Sequence, residues 1–197
     1  MITIGLTGSI GMGKSAVSVM FRRYGVPVFD ADAAVHILQG PNSALLDLIE
    51  ARFPGTTGAQ GVNRQKLGNA VFGKPGELRA LERIIHPAVA AMRKRWLTRN
   101  RAKPLVVLDI PLLFEKKGWR GVDVIVVVSA PAWKQRKRVL ARPGMSLAKF
   151  KRITALQIPD VQKRRRADHV IFTGCLRLKT EQRVRALVAC LTRRTRR

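Results

Sequence analysis

The sequence predicts an α/β protein of three layers, with five parallel strands between two layers of helices and a helical insert interrupting the order. Three observations predict it. Residues 2–24 read as strand, glycine-rich turn and helix in immediate succession. Short, unbroken apolar runs return at 26–29, 104–108, 122–128 and 169–172, as strands covered on both faces do. Residues 31–102 carry helical spacing with no strand between; a βαβ crossover needs one helix, so this stretch is an insert after the second strand.

The elements follow in order. Ile2 to Thr7 alternates β-branched and apolar residues and forms the first strand, and Ala16 to Tyr24 places Val17, Met20 and Phe21 on one helical face. Val26-Pro27-Val28-Phe29 is the second strand, ending in Asp30, and Ala31 to Leu38 is helical. After Gly40-Pro41-Asn42, Ser43 caps a helix carrying Leu45, Leu46, Leu48 and Ile49. Residues 54–61 are loop by composition. A helix restarts at Asn63 or Arg64 and stops at Pro75-Gly76, and Glu77 to Ile85 is the next. Pro87 opens a separate helix to Arg99, at a first-turn position where its missing N–H costs nothing. Strands three and four are residues 104–109 and 122–128. Pro131 to Arg142 is a basic helix, Pro143-Gly144-Met145 ends it, and Ser146 caps Leu147 to Gln157. His169 to Phe172 is the last strand, Leu176 to Leu191 the closing helix, and Thr192 to Arg197 a frayed basic tail.

The turn after the first strand carries the chemistry. Gly8-Ser9-Ile10-Gly11-Met12-Gly13-Lys14-Ser15 matches Gly-x-x-x-x-Gly-Lys-Ser/Thr at every fixed position, with the strand and helix that give the pattern meaning. Gly8, Gly11, Met12, Gly13, Lys14, Ser15 and Ala16 should cradle a nucleoside triphosphate such as ATP through backbone N–H groups and the helix N-terminus. Lys14 reaches the β and γ phosphates, and the Ser15 hydroxyl offers a ligand to Mg2+. A chance glycine-rich turn would not have both flanks correct. The result is a P-loop kinase type of fold, its insert holding the acceptor and a broken basic segment at 143–165 forming a lid. The nucleotide core is then 1–30, 103–142 and 166–197, and the acceptor-side subdomain 31–102.

Composition narrows the partners. The chain of 197 residues has 38 Lys and Arg against 12 Asp and Glu, a formal charge of +26, which suits polyanionic ligands and gives weak, non-specific attraction to nucleic acid. Specific nucleic-acid recognition is disfavoured, since aromatics are 6% and no RNA-stacking pattern occurs. No apolar run approaches the roughly 20 residues of a membrane span. The first strand leaves no room for a leader, and two cysteines without a C-x-x-C pair suit a reduced, cytoplasmic protein.

With so few acids, their places matter: Asp30, Asp32, Asp109 and Glu115 all fall at or just beyond strand ends, where open α/β sheets bind ligands. Asp32 is either the base that takes a proton from an acceptor hydroxyl or the cap of a helix starting at Ala33. Asp30 and Asp109 compete as the closer Mg2+ partner, with Asp109 at the Walker-B position. Glu115 either anchors a loop or pairs with Lys116 or Lys117. Arg138 and Arg142, four apart on one helical face, suit phosphate, Arg142 the more because it adjoins the Pro143-Gly144 hinge. Lys149, Arg152 and Lys163 continue a largely solvated basic face. His86, before Pro87, is a packing histidine or a substrate contact.

Taken together, these residues resemble the dephospho-coenzyme A kinase family along nearly the whole chain. The resemblance runs from the phosphate loop through Asp30-Ala31-Asp32, the Asn63 to Gly68 segment, Ile85-His86-Pro87 and Pro111 to Glu115. It continues to Arg152-Ile153 with Gln157, and to Ala167 through Ile171. It implies ATP and Mg2+, phosphorylation of the ribose 3′-hydroxyl of dephospho-coenzyme A, and Asp32 as the base. It also implies that the insert binds the acceptor, with Asp32, Arg64 and His86 toward that substrate. Ala16 stands where many members have Thr, and Phe172-Thr173-Gly174 where many have an Asp-Asn pair. A nucleotide or other small-metabolite kinase of the same fold is the nearest rival, and a basic, nucleotide-regulated RNA-binding protein the rival of another class.

Overall fold

A computed structural model describes residues 1–116 and 118–195. In chain order the elements are β1 (Ile2–Thr7), α1 (Lys14–Arg23), β2 (Val28–Asp30), α2 (Ala31–Leu38) and α3 (Leu46–Arg52). Next come β3 (Thr57–Gly58), β4 (Gly61–Val62), α4 (Arg64–Val71) and α5 (Pro75–Arg99). Then follow β5 (Leu105–Asp109), a 3-10 turn at Gly118–Gly121, β6 (Val124–Ser129), α6 (Ala132–Leu140), α7 (Leu147–Ala155), α8 (Asp160–Arg165), β7 (His169–Phe172) and α9 (Arg177–Arg194). The chain divides into two compact units, Met1–Phe29 with Asn100–Arg197, and Asp30–Arg99.

The first unit is built on a five-stranded sheet in the order β2-β5-β1-β6-β7. β1 pairs in parallel with β5 and β6, and β6 with β7. Burial on both faces explains the unbroken apolar runs: β5 is buried at every residue and β6 at all but Ile125. Ile4, Leu6, Val126 and Val128 meet Val17, Met20 and Phe21 of α1 and Val184, Leu187 and Leu191 of α9 in one core. The register sets Leu6 of β1 opposite Asp109 of β5. The last residues of β1 therefore run into the phosphate loop beside an acid, at the carboxyl end of the sheet.

The second unit has its own core of Leu45, Ile49, Phe53, Leu67, Leu81 and Ile85. Asn63 caps α4, its side chain accepting from Lys66 N.

Several elements differ from the sequence expectation. The stretch 54–61 is not plain loop, and the insert is not strand-free: β3 and β4 pair antiparallel. The cause is Glu50, whose carboxylate accepts from the N–H groups of Gly55 and Thr57 and from the Thr57 hydroxyl. These bonds, led by the hydroxyl, hold its carboxyl below the ordinary carboxylate range. Ser43 is not a helix cap: its hydroxyl accepts from Leu45 N and donates to Leu38 O, closing the turn, and α3 starts only at Leu46. Pro87 does not start a helix but lies inside α5. The apolar face runs through it, since Leu81, Ile85, Ala88 and Val89 all pack on one cluster, and that packing outweighs a proline cost of ~3 kcal/mol. The segment after Pro159 forms an unexpected helix, α8. The closing helix runs on through Thr192 and Arg194, leaving less tail than expected, and Arg196 and Arg197 of that tail lie outside the described residues. Among the described residues, no helix is long and apolar enough to cross a membrane. Cys175 and Cys190 are both free thiols.

Candidate active site

The phosphate loop joins β1 to α1, and two of its glycines are required by geometry. Gly11 and Gly13 have φ of 77° and 92°, in the left-handed region that side chains other than glycine's resist. A Cβ on Gly11 would lie 2.5 Å from Val139 Cγ2 and 2.9 Å from the Gln135 carbonyl oxygen, and one on Gly13 2.9 Å from Thr173 Oγ1. Helix α1 begins at Lys14, two residues before the expected Ala16, with Gly13 as a cap that offers no side chain. The helix N-terminus is thus left to an anion. Ser15 and Ala16 are exposed in its first turn. Met12 is buried, and its thioether accepts from Ala130 N at 3.1 Å, so only its backbone serves the loop.

Lys14 is held rather than loose. Its Nζ bonds Asp109 Oδ1, while Ser18 Oγ donates to Asp109 Oδ2 at 2.5 Å. Asp109 is 3% exposed, and such a carboxylate stays charged only when paired and hydrogen-bonded. Ser18 escaped the sequence reading. Its signal was the spacing Lys14, Ser18, four apart on one helical face, in a helix read as starting too late.

Beyond the loop, Arg138 donates through Nη2 to Thr173 O at 2.7 Å and through Nη1 to Thr173 Oγ1 at 3.0 Å and Gly11 O at 3.4 Å. Thr173 Oγ1 donates to Met12 O at 2.6 Å. The departure at Phe172-Thr173-Gly174 therefore has a local use, tying the last strand to the phosphate loop. Arg142 follows the end of α6 and is exposed.

In the second unit, the Asp30 carboxylate accepts from Ala33 N at 3.0 Å and caps α2. The helix cap is therefore Asp30, not Asp32, which lies exposed in the first turn. Arg64 opens α4, and His86 is an exposed residue of α5 rather than a packing histidine.

Glu115 anchors a loop, with a partner that neither earlier alternative named. Its Oε1 accepts from Ile158 N at 2.9 Å and lies 2.8 Å from Nζ of Lys163, whose side chain is 0% exposed. Lys163 is thus not part of the solvated basic face. Burial pushes the Glu115 carboxyl up, but the close Lys163 ammonium and the hydrogen bond from Ile158 N outweigh it and hold the group low. Lys117, the other suggested partner, lies outside the described residues.

A phosphate loop followed by a helix N-terminus, with a lysine on a buried acid at the end of the neighbouring strand, defines the class: a P-loop protein with the fold of small-molecule kinases. A Thermus thermophilus protein of solved structure matches with a TM-score of 0.82 at 37% identity, covering 95% of this chain and 96% of its own. The dephospho-CoA kinase from Campylobacter jejuni shares the fold, with a TM-score of 0.66 at 22% identity over 96% of each chain. The family model for dephospho-CoA kinase matches residues 2–175. The dephospho-CoA kinase of Novosphingobium aromaticivorans is 60% identical over 188 residues, 95% of this chain and 94% of that protein. This chain belongs to the dephospho-CoA kinase family.

Proposed function

We propose that the chain transfers the γ-phosphoryl group of ATP to the ribose 3′-hydroxyl of dephospho-coenzyme A, giving coenzyme A and ADP. The observation that carries this is the family match over residues 2–175, which spans every residue given a role below.

Phosphoryl transfer asks a protein for positioning and charge neutralisation. The loop from Gly8 to Ala16 binds the triphosphate, and Lys14 exchanges its bond to Asp109 for the β and γ phosphates. Arg142, with Arg138 behind it, meets negative charge on the transferring group. Asp32 accepts the 3′-hydroxyl proton as the new O–P bond forms and the bond to the β,γ-bridging oxygen breaks, so ADP leaves. Asp32 lies exposed in the first turn of α2, where Asp30 is the cap. The insert 31–102, with Arg64 and His86, holds the acceptor, and 143–165 forms the lid.

The residues present fit Mg2+. Ser15 offers an exposed hydroxyl, and Asp109, at the end of β5, a hard carboxylate; Asp30 already accepts from Ala33 N as the cap of α2. Among the described residues no cluster of three or more His, Cys, Asp or Glu is placed to hold a metal, the pattern of an ion bound largely through substrate phosphates and water. When bound, such an ion would supply charge neutralisation of the triphosphate. The two free thiols suit work in the cytoplasm.

The test is ADP release in a coupled assay with dephospho-coenzyme A, AMP, adenosine and pantetheine offered in turn. Turnover with dephospho-coenzyme A alone is expected; faster turnover with AMP or adenosine would make this a nucleotide or nucleoside kinase.

A further inference from the structure

The phosphate loop has outward-facing polar groups that must be satisfied if its N–H groups are to face the nucleotide. Three successive carbonyls, those of Ile10, Gly11 and Met12, are taken by the side chains of Gln135, Arg138 and Thr173. Ile10 is held on both sides. Gln135 Nε2 donates to its carbonyl at 2.8 Å, and its N–H donates to Gln157 Oε1 at 3.1 Å. Gln135 is a buried residue of α6, only 9% exposed. Gln157 stands between α7 and α8, in the segment proposed as the lid. The approach is close as well as polar, since the Gln135 carbonyl is one of the atoms that leave no room for a side chain at Gly11.

We infer that Gln135 and Gln157 are positioning residues, clamping the backbone at Ile10 so that the phosphate loop keeps its binding shape and moves only with the α6 and α7–α8 segments. This rests on the kinase reading for its substrates. The chemistry of each amide is fixed: Gln157 must present its oxygen to an N–H, and Gln135 its NH2 to a carbonyl. Neither touches substrate in this scheme. Both act through the loop N–H groups, whose alignment with phosphate charge is worth most in the transition state.

The test replaces each glutamine by methionine, which keeps the length and removes the hydrogen bond. Folding is checked by thermal melting, ATP affinity by calorimetry, and kcat and both KM values with ATP and dephospho-coenzyme A. Loss of one neutral hydrogen bond predicts a drop on the order of tenfold in kcat/KM for ATP, with weaker ATP binding and an unchanged KM for dephospho-coenzyme A. Unchanged ATP affinity and kcat in folded variants would overturn the clamp, as would an equal rise in both KM values, the sign of a general loss of structure. If buried Gln135→Met fails to fold, Gln157→Met, on a half-exposed residue, decides alone. Wild-type inactivity toward dephospho-coenzyme A would sink the kinase reading instead, while ATP calorimetry would still report on the clamp.

Discussion

At the residue scale, Lys14 and Asp109 change the expectation for a familiar substitution. A phosphate-loop lysine that met only solvent could be removed without harm to the fold. Bonded to a buried Asp109, Lys14 has two functions. Lys14→Ala should lower kcat on the order of 10³-fold and also strand a buried charge, lowering the unfolding midpoint. Adding Asp109→Asn should restore much of the stability and none of the turnover; a Lys14→Ala protein as stable as wild type would show the pair to be energetically idle. Asp32→Asn keeps size and removes the proton acceptor, for a predicted loss of about 10²–10⁴-fold in the chemical step with ATP affinity unchanged. Single-turnover measurement decides it, since a loss under about tenfold would remove Asp32 as the base. Glu115→Gln should cost about 3 kcal/mol at neutral pH, because Lys163 is left buried without its anion. The Glu115 carboxyl is held low in the folded protein, so its stabilisation is fully present above the ordinary carboxylate range and is lost as pH falls below that range and through the group's lowered pKa. Melts of wild type and variant should therefore converge on acidification; a gap that stayed constant down to strong acid would contradict the ion pair.

At the element scale, α5 tests packing against propensity. A proline inside a helix loses a hydrogen bond and crowds the carbonyl four residues back, yet the helix passes through Pro87 because its buried face is continuous on either side. Pro87 is exposed, so alanine there disturbs no core. Removing an interior proline gains ~3 kcal/mol of helix propensity, less about 0.4–1 kcal/mol for the freer unfolded chain. Pro87→Ala should therefore raise stability by about 2 kcal/mol, read as a higher urea midpoint at unchanged slope. A lower midpoint would mean that the core is fitted to a proline kink. The hairpin β3–β4 shows the reverse case, in which one side chain, Glu50, imposes order on a run of glycine, threonine and proline.

At the scale of the whole molecule, the charge of +26 exceeds what one triphosphate site requires. Binding to RNA should be detectable at low salt and fall steeply as salt rises, since it rests on released counterions. Filter binding across a salt series checks this, and sequence-selective binding at physiological salt would point to a nucleic-acid role. What the sequence by itself determined was local or periodic: the apolar strand runs, the phosphate loop with its flanks, and the capping residue Ser146. In these the information lies within a few residues, because backbone geometry at glycine and the spacing of apolar side chains act at short range. The tertiary structure alone decided the partnerships between distant segments: Ser18 with Asp109, Lys163 with Glu115, Thr173 and Gln135 with the phosphate loop, and the unbroken α5. A buried polar group takes whichever partner the folded chain brings within hydrogen-bond distance. Nothing in the neighbourhood of Lys163 in sequence distinguishes it from the exposed arginines that follow it, Arg165 and Arg166; only the cost of burying its charge, met by Glu115, does so.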